Sequence, residues 1–232
     1  PADTMIDMQR LSQLIAACLL TLALGATALA IAVPTAAWAD EWEVIDESDG
    51  IITSRKEVSG SSMLAFRGES DTDVHISRLL AVLLDANKGP EWVDLQTVSR
   101  EVERISGEET VLYQVYDLSW PISDRDYLLR RITHFDAASK VATVTYNSVE
   151  RADTPPDDCC VRAQALRTYW RLTAKPDGGT HVEVEVLTDP KGMLPAWVVN
   201  LVQRGWPRNS ITGLTGRAAE ADIQGAGPTA GW

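Results

Sequence analysis

The alternation of apolar and polar residues is the clearest pattern in this chain, and it predicts a long series of β-strands. Val182, Val184 and Val186 alternate with Glu183 and Glu185, which is typical of a strand with one buried face. Similar segments, separated by turn residues, predict further strands at 40–47, 51–58, 63–70, 98–105, 110–119, 127–135, 141–149 and 161–173. Their hairpin-like spacing indicates an antiparallel sheet.

Two segments have helical spacing instead. In residues 75–84, apolar side chains recur on one helical face. Near the end of the chain, Pro195 suits the first turn of a helix, and its apolar face is formed by Leu194, Trp197, Val198, Leu201 and Val202. We expect this helix to kink or restart after Pro207. A series of strands followed by one long terminal helix indicates an α+β fold.

The N-terminal segment has a different character, because residues 11–39 contain no charged side chain. An apolar run over 11–33 ends at Pro34, and Ala37-Trp38-Ala39 is a small-x-small cleavage signal. The sequence predicts a signal peptide over 1–39 and an exported protein, periplasmic or secreted. An uncleaved membrane anchor formed by 11–33 is an alternative, as is a lipoprotein box ending at Cys18.

Composition and charge narrow the classes of function. The 232 residues carry a net charge of −12, which argues against nucleic-acid binding and against long-range attraction to anionic membranes. Residues 1–39 hold one Arg and two Asp, so 20 basic and 31 acidic residues remain after cleavage. We expect one folded domain over 40–222, followed by a flexible tail over 223–232.

Residues with catalytic or metal-binding chemistry are few. Cys159 and Cys160 are adjacent, and we interpret them as two thiols, with a vicinal disulfide as the alternative. His75, His134 and His181 fall inside predicted elements, and no metal-ligand spacing is present. The sequence predicts no catalytic residue, no metal and no cofactor.

Three motifs, in order along the chain, carry a resemblance to a known family. Residues 120–127 read Trp-Pro-Ile-Ser-Asp-Arg-Asp-Tyr, residues 160–162 read Cys-Val-Arg, and residues 189–200 begin Asp-Pro-Lys-Gly. Together they resemble the START (steroidogenic-acute-regulatory-protein-related lipid transfer) family over roughly residues 42–220. The resemblance implies a helix-grip fold, in which a curved antiparallel sheet wraps around a long C-terminal helix and encloses a lipid-sized cavity.

The resemblance also implies a function and a set of site residues. It implies a monomer, not an enzyme, that binds one lipid, makes transient membrane contact and carries the lipid between membranes. The family places a ligand-facing tyrosine at Tyr127, and strand parity and helical spacing extend the lipid-binding set. That set comprises Gln114, Tyr116, Tyr127, Leu129, Arg131, Leu166, Trp170, Trp197, Val198 and Leu201.

Within this set, Arg131 is the candidate for binding the lipid head, because an inward-facing arginine needs a partner. The family's sterol-binding branch has a basic residue here, with a glutamate partner at the position of Leu112. Gln114 and Leu166 stand where a choline cage would have aromatic residues, so a sterol or sterol-like triterpenoid is favoured over a phospholipid. A cavity gate is expected at Trp120, Ile122, Met193 and Leu194. The alternatives are a helix-grip enzyme of the polyketide cyclase or hydrolase type, a phospholipid carrier, and a structural envelope protein.

Overall fold

A computed structural model describes residues 42–118, 122–225 and 227–232. The predicted signal peptide and Trp120 lie outside these residues. The described chain is an α+β helix-grip fold, as predicted, with a ten-stranded sheet. The strands are β1 (Glu43–Ser48), β2 (Ile51–Glu57), β3 (Leu64–Thr72), β4 (Gln96–Arg104), β5 (Glu109–Tyr116), β6 (Asp124–Asp136), β7 (Val141–Ser148), β8 (Cys160–Arg162), β9 (Gln164–Ala174) and β10 (Thr180–Asp189).

The strand order departs from the sequence order at β3, which pairs with β10 rather than with β4. The strand order is β1-β2-β3-β10-β9-β7-β6-β5-β4, with antiparallel pairing throughout this path, and β8 pairs with β6 in parallel. The predicted Asp49-Gly50 turn joins β1 to β2, and both residues have positive φ, at 53° and 73°. Such angles are typical of tight hairpin turns.

The helices lie between β3 and β4 and after β10. They are α1 (Ile76–Leu83), a 3₁₀ turn (Ala86–Lys88), α2 (Gly89–Trp92) and α3 (Ala196–Ala219). Helix α3 packs closely on β3 at Gly68, where an added Cβ would lie 2.9 Å from side-chain atoms of both Pro207 and Ile211. Ile211 and Leu214 of α3 join Leu79 of α1 in the main core.

The structure describes two parts of the C-terminal region for which predictions were made: the helix after Pro207 and the segment after residue 222. Helix α3 does not restart after Pro207 but continues through it to Ala219, and the contact of the buried Pro207 ring with Gly68 offsets the missing backbone donor. The segment after residue 222 is packed rather than loose. Ile223 and Thr229 are buried, and the ring of Trp232 lies 6.4 Å from that of Phe135. Apolar burial at these positions outweighs the tendency of a chain end to fray.

Among the described residues, the helices are all too short or too polar to cross a bilayer.

Candidate functional site

A cavity of about 250 Å³ lies between the sheet and α3. Its walls are mostly apolar, with side chains from β5, β6, β9, β10 and α3. The structure brings many of the predicted residues together here. Those lining the cavity are Gln114, Tyr116, Tyr127, Leu129, Arg131, Trp170 and Val198, with Ile122 and Leu194 of the predicted gate.

Arg131 lies at the inner end of the cavity and is only 4% exposed. On the neighbouring strands it is paired with Thr110 and Tyr146. Its Nη1 donates to the carbonyl oxygen of Leu84 over 2.8 Å, and its Nη2 donates to Thr110 Oγ1 over 3.4 Å. Leu84 is the C-cap of α1, so Arg131 meets the negative end of a helix dipole.

No carboxylate in the described part of the chain forms an ion pair with Arg131; the partners of its guanidinium there are neutral. The Leu112 side chain, on the strand next to Arg131, lines the cavity where the family's sterol-binding branch has a glutamate. Burial raises the pKa of Tyr146, while the positive charge of Arg131 opposes the shift. The inner end therefore carries one cation, and the neutral Tyr146 hydroxyl lies beside it.

A second group of polar side chains crosses the middle of the cavity, and we call it the polar belt. Gln96 Nε2 donates to the Tyr116 hydroxyl over 2.8 Å, and the ring of Tyr116 meets that of Tyr127 edge-on at 5.5 Å. Burial raises the pKa of Tyr127 to about 12, so its hydroxyl is neutral at pH 7. The belt comprises Gln96, Gln114, Tyr116, Tyr127, Thr188 and Gln203.

Three members of the belt were not predicted from the sequence: Gln96, Thr188 and Gln203. For Gln203 a signal was available. It lies four residues after Val199 and four before Pro207, and all three side chains are buried on the same face of α3. An amide in that apolar row requires a polar partner. Gln203 finds one in Thr188, whose Oγ1 accepts from Gln203 Nε2 over 2.7 Å.

One end of the cavity, which we call the mouth, lies where β6 begins and beside the β10–α3 turn. Ile122, Pro190 and Leu194 line this end. Arg125, which is buried, donates to the carbonyl oxygens of Pro190 and Lys191 over 2.6 Å and 3.3 Å. Arg125 is the first residue of the Arg-Asp-Tyr motif, but no role was predicted for it from the sequence.

This arrangement can be compared with known proteins. The family model described as START domain matches residues 28–206. The chain belongs to the START domain family. An uncharacterised protein of Pseudomonas aeruginosa is 26% identical over 182 residues, which cover 78% of this chain and 89% of that protein. The phosphatidylcholine transfer protein of Bos taurus is 27% identical over 164 residues, covering 68% of this chain and 75% of that protein.

A solved structure has the same fold. The STAR-related lipid transfer protein fragment from Xanthomonas axonopodis superposes with a TM-score of 0.70 at 24% identity. The match covers 78% of this chain and 100% of that fragment.

Four predicted site residues of this START domain do not line the cavity. Leu166 is 47% exposed, because the β9–β10 register shifts opposite Leu187 and Thr188, and this bulge places Ala165 in the wall instead. Trp197 and Leu201 are 69% and 64% exposed, and Met193 of the predicted gate is fully exposed. They lie beside the row formed by Leu194, Val198 and Val202, which does line the cavity.

The state of the two cysteines also differs from the interpretation of them as two thiols. Cys159 and Cys160 form a vicinal disulfide. Cys159 lies in the turn just before β8, and Cys160 is the first residue of β8, where its N–H donates to the carbonyl oxygen of Asp157. The turn is further held by the Tyr113 hydroxyl, which donates to Asp157 Oδ2 over 2.6 Å.

Proposed function

We propose that this START domain binds a single lipid in its cavity and carries it between membranes without chemical change. The observation that carries this proposal is the cavity itself, whose walls are mostly apolar. Transfer of apolar surface from water into such a cavity is favourable by about 25 cal/mol per Å². The family assignment and the name of the bovine relative support the same function.

The inner end of the cavity favours a lipid with a compact, uncharged head. Arg131 has no carboxylate partner among the described residues, so a hydroxyl or carbonyl oxygen of the ligand would accept from it favourably. A choline group would instead need aromatic faces around it, and Gln114 and Leu166 stand where such a cage would have aromatic residues. We therefore favour a sterol or sterol-like triterpenoid over a phosphatidylcholine.

Membrane contact is proposed through the exposed face at the start of α3. Met193, Trp197 and Leu201 are exposed next to the side chains that line the mouth. Trp is favoured at a bilayer interface, where its apolar ring and polar N–H are both accommodated. The net charge of −12 means that such contact would depend on apolar burial rather than on attraction to anionic lipids.

The proposal is tested on protein purified without detergent, by native mass spectrometry and by chromatography of the organic extract. We expect one lipid per chain, and we expect the emptied protein to take up a labelled sterol from phosphatidylcholine vesicles. Protein that carries no lipid and extracts neither sterol nor phospholipid from vesicles would contradict the proposal. Extraction of phospholipid alone would keep the carrier function and exclude the sterol preference.

A further inference from the structure

We propose that the ligand carries two polar groups, one at each end of an apolar body, and that the polar belt binds the second group through Gln203. The inference rests on the proposed function, since it concerns the lipid in the same cavity. Arg131 at the inner end is a hydrogen-bond donor whose partners are neutral, so it favours an acceptor on the ligand. The belt offers an acceptor and requires a donor, so the two ends of the ligand differ in chemistry.

The requirement for a donor comes from the side-chain amide of Gln203. Its Nε2 donates to both the carbonyl oxygen and the Oγ1 of Thr188, over 3.2 Å and 2.7 Å. Because a carbonyl oxygen can only accept, this pair fixes which end of the amide is the nitrogen. The Oε1 atom is then left buried with no donor from the described residues. Gln203 is 9% exposed and lines the cavity.

A buried acceptor without a donor is unfavourable, and a ligand hydroxyl is the group that would satisfy it. Gln96 has a buried Oε1 of the same kind, but that atom is packed against Gly89, where an added Cβ would lie 1.9 Å away. The tyrosine hydroxyl of Tyr116 is already paired on both sides, with Gln96 and Gln114. Gln203 is therefore the member of the belt that has an unfilled acceptor on a side chain lining the cavity.

The spacing along β6 between the belt and Arg131 gives the approximate length of the apolar wall between them. Tyr127 of the belt and Arg131 are four residues apart on β6, which corresponds to roughly 13 Å along a strand. Leu129 lies between them, opposite Leu112 of β5, and both line the cavity. A rigid fused-ring skeleton with an oxygen at each end fits this arrangement. Its hydroxyl would donate to Gln203, its rings would lie against the apolar wall, and its other oxygen would accept from Arg131.

Two steroid probes that differ in one group test the inference. 5α-Androstan-3-one has a ketone acceptor at one end, and 17β-hydroxy-5α-androstan-3-one adds a hydroxyl at the other. Binding is measured by quenching of tryptophan fluorescence, since Trp170 and Trp206 line the cavity. We expect the hydroxyl to tighten binding to the native chain at least tenfold.

Gln203→Met keeps the length of the side chain but removes its hydrogen bonds, and exposed Gln224→Met is the matched control. We expect Gln203→Met to lose the preference for the hydroxyl while keeping the affinity for the ketone alone, and Gln224→Met to behave like the native chain. Equal affinities of the native chain for the two probes, or equal losses for both in Gln203→Met, would overturn the inference and leave the proposed function intact. Binding of neither probe would count against both.

Discussion

Arg125 Nε donates a hydrogen bond to the carbonyl oxygen of Pro190 over 2.6 Å and so ties the first residues of β6 to the turn before α3. Arg125 Nη2 extends the contact to the carbonyl oxygen of Lys191. That turn leads directly to Leu194 at the mouth of the cavity. The backbone of this turn is therefore held in part by the Arg125 side chain, which also lines the cavity. A lipid that enters past this turn would require the contact to loosen.

We predict that Arg125→Met speeds lipid exchange. Loss of the two hydrogen bonds leaves the carbonyl oxygens of Pro190 and Lys191 without their donor, so the turn should open more readily. The measurement is transfer of a fluorescent sterol from loaded protein to vesicles, with an expected rise of several-fold in rate. Exposed Arg171→Met is the control. An unchanged rate in a folded Arg125 variant would show that lipid passes elsewhere.

We predict that Arg131→Leu weakens binding of a hydroxylated sterol by about 1–3 kcal/mol, the scale of a lost hydrogen bond to a charged group. Arg130→Leu is a matched control, because Arg130 is the next residue on β6 and pairs with Glu109 at the surface. Titration with a sterol and with its hydrocarbon analogue separates two effects. Loss confined to the sterol supports head binding, whereas equal loss for both would point to a folding defect.

The strands and the long helix were predictable because alternation and helical spacing are local properties of the chain. The direction of each side chain was less predictable. The prediction counted alternate residues from Trp170 back to Leu166 and so assumed a regular strand. The bulge in β9 turns the Leu166 side chain to the opposite face. A bulge arises from pairing with the neighbouring strand, here opposite Leu187 and Thr188. The alternation of residues within β9 alone therefore does not predict it.

The helix face shows a similar limit. The sequence placed Trp197 and Val198 on one apolar face, but successive residues of a helix point about 100° apart. The structure directs Val198 to the cavity and leaves Trp197 exposed. Which edge of a wide apolar face is covered depends on tertiary packing. Arg125 was missed for a related reason, since its partner, the carbonyl oxygen of Pro190, is brought to it only by the fold.

We predict that the mature protein begins at Asp40. The basis is the uncharged run over 11–39 and the Ala37-Trp38-Ala39 signal. The measurement is N-terminal sequencing of protein secreted or released from the periplasm after expression of the full chain. An intact N-terminus recovered only with membranes would support an anchor instead, and a lipid attached to Cys18 would support the lipoprotein interpretation.

We predict that Trp197→Ser with Leu201→Ser impairs transfer while leaving lipid binding unchanged. Both side chains are exposed beside the mouth and do not line the cavity, so their loss should affect contact with the membrane alone. Full burial of one large apolar side chain contributes about 1.5–3 kcal/mol, and we expect binding to phosphatidylcholine vesicles to fall at least tenfold. The measurements are vesicle co-sedimentation and sterol titration on the same variant.

Ile105→Ser is the control for this prediction, because Ile105 is similarly exposed, at 51%, but follows β4 at the opposite end of the sheet from Ile122. Binding of the protein to vesicles should also depend little on salt. Salt weakens interactions between exposed charges, with a screening length of about 10 Å at 0.1 M ionic strength, but it does not screen apolar burial. Strong weakening by salt would indicate a charged contact instead. Unchanged vesicle binding in the double variant would place the membrane-contacting surface away from the start of α3.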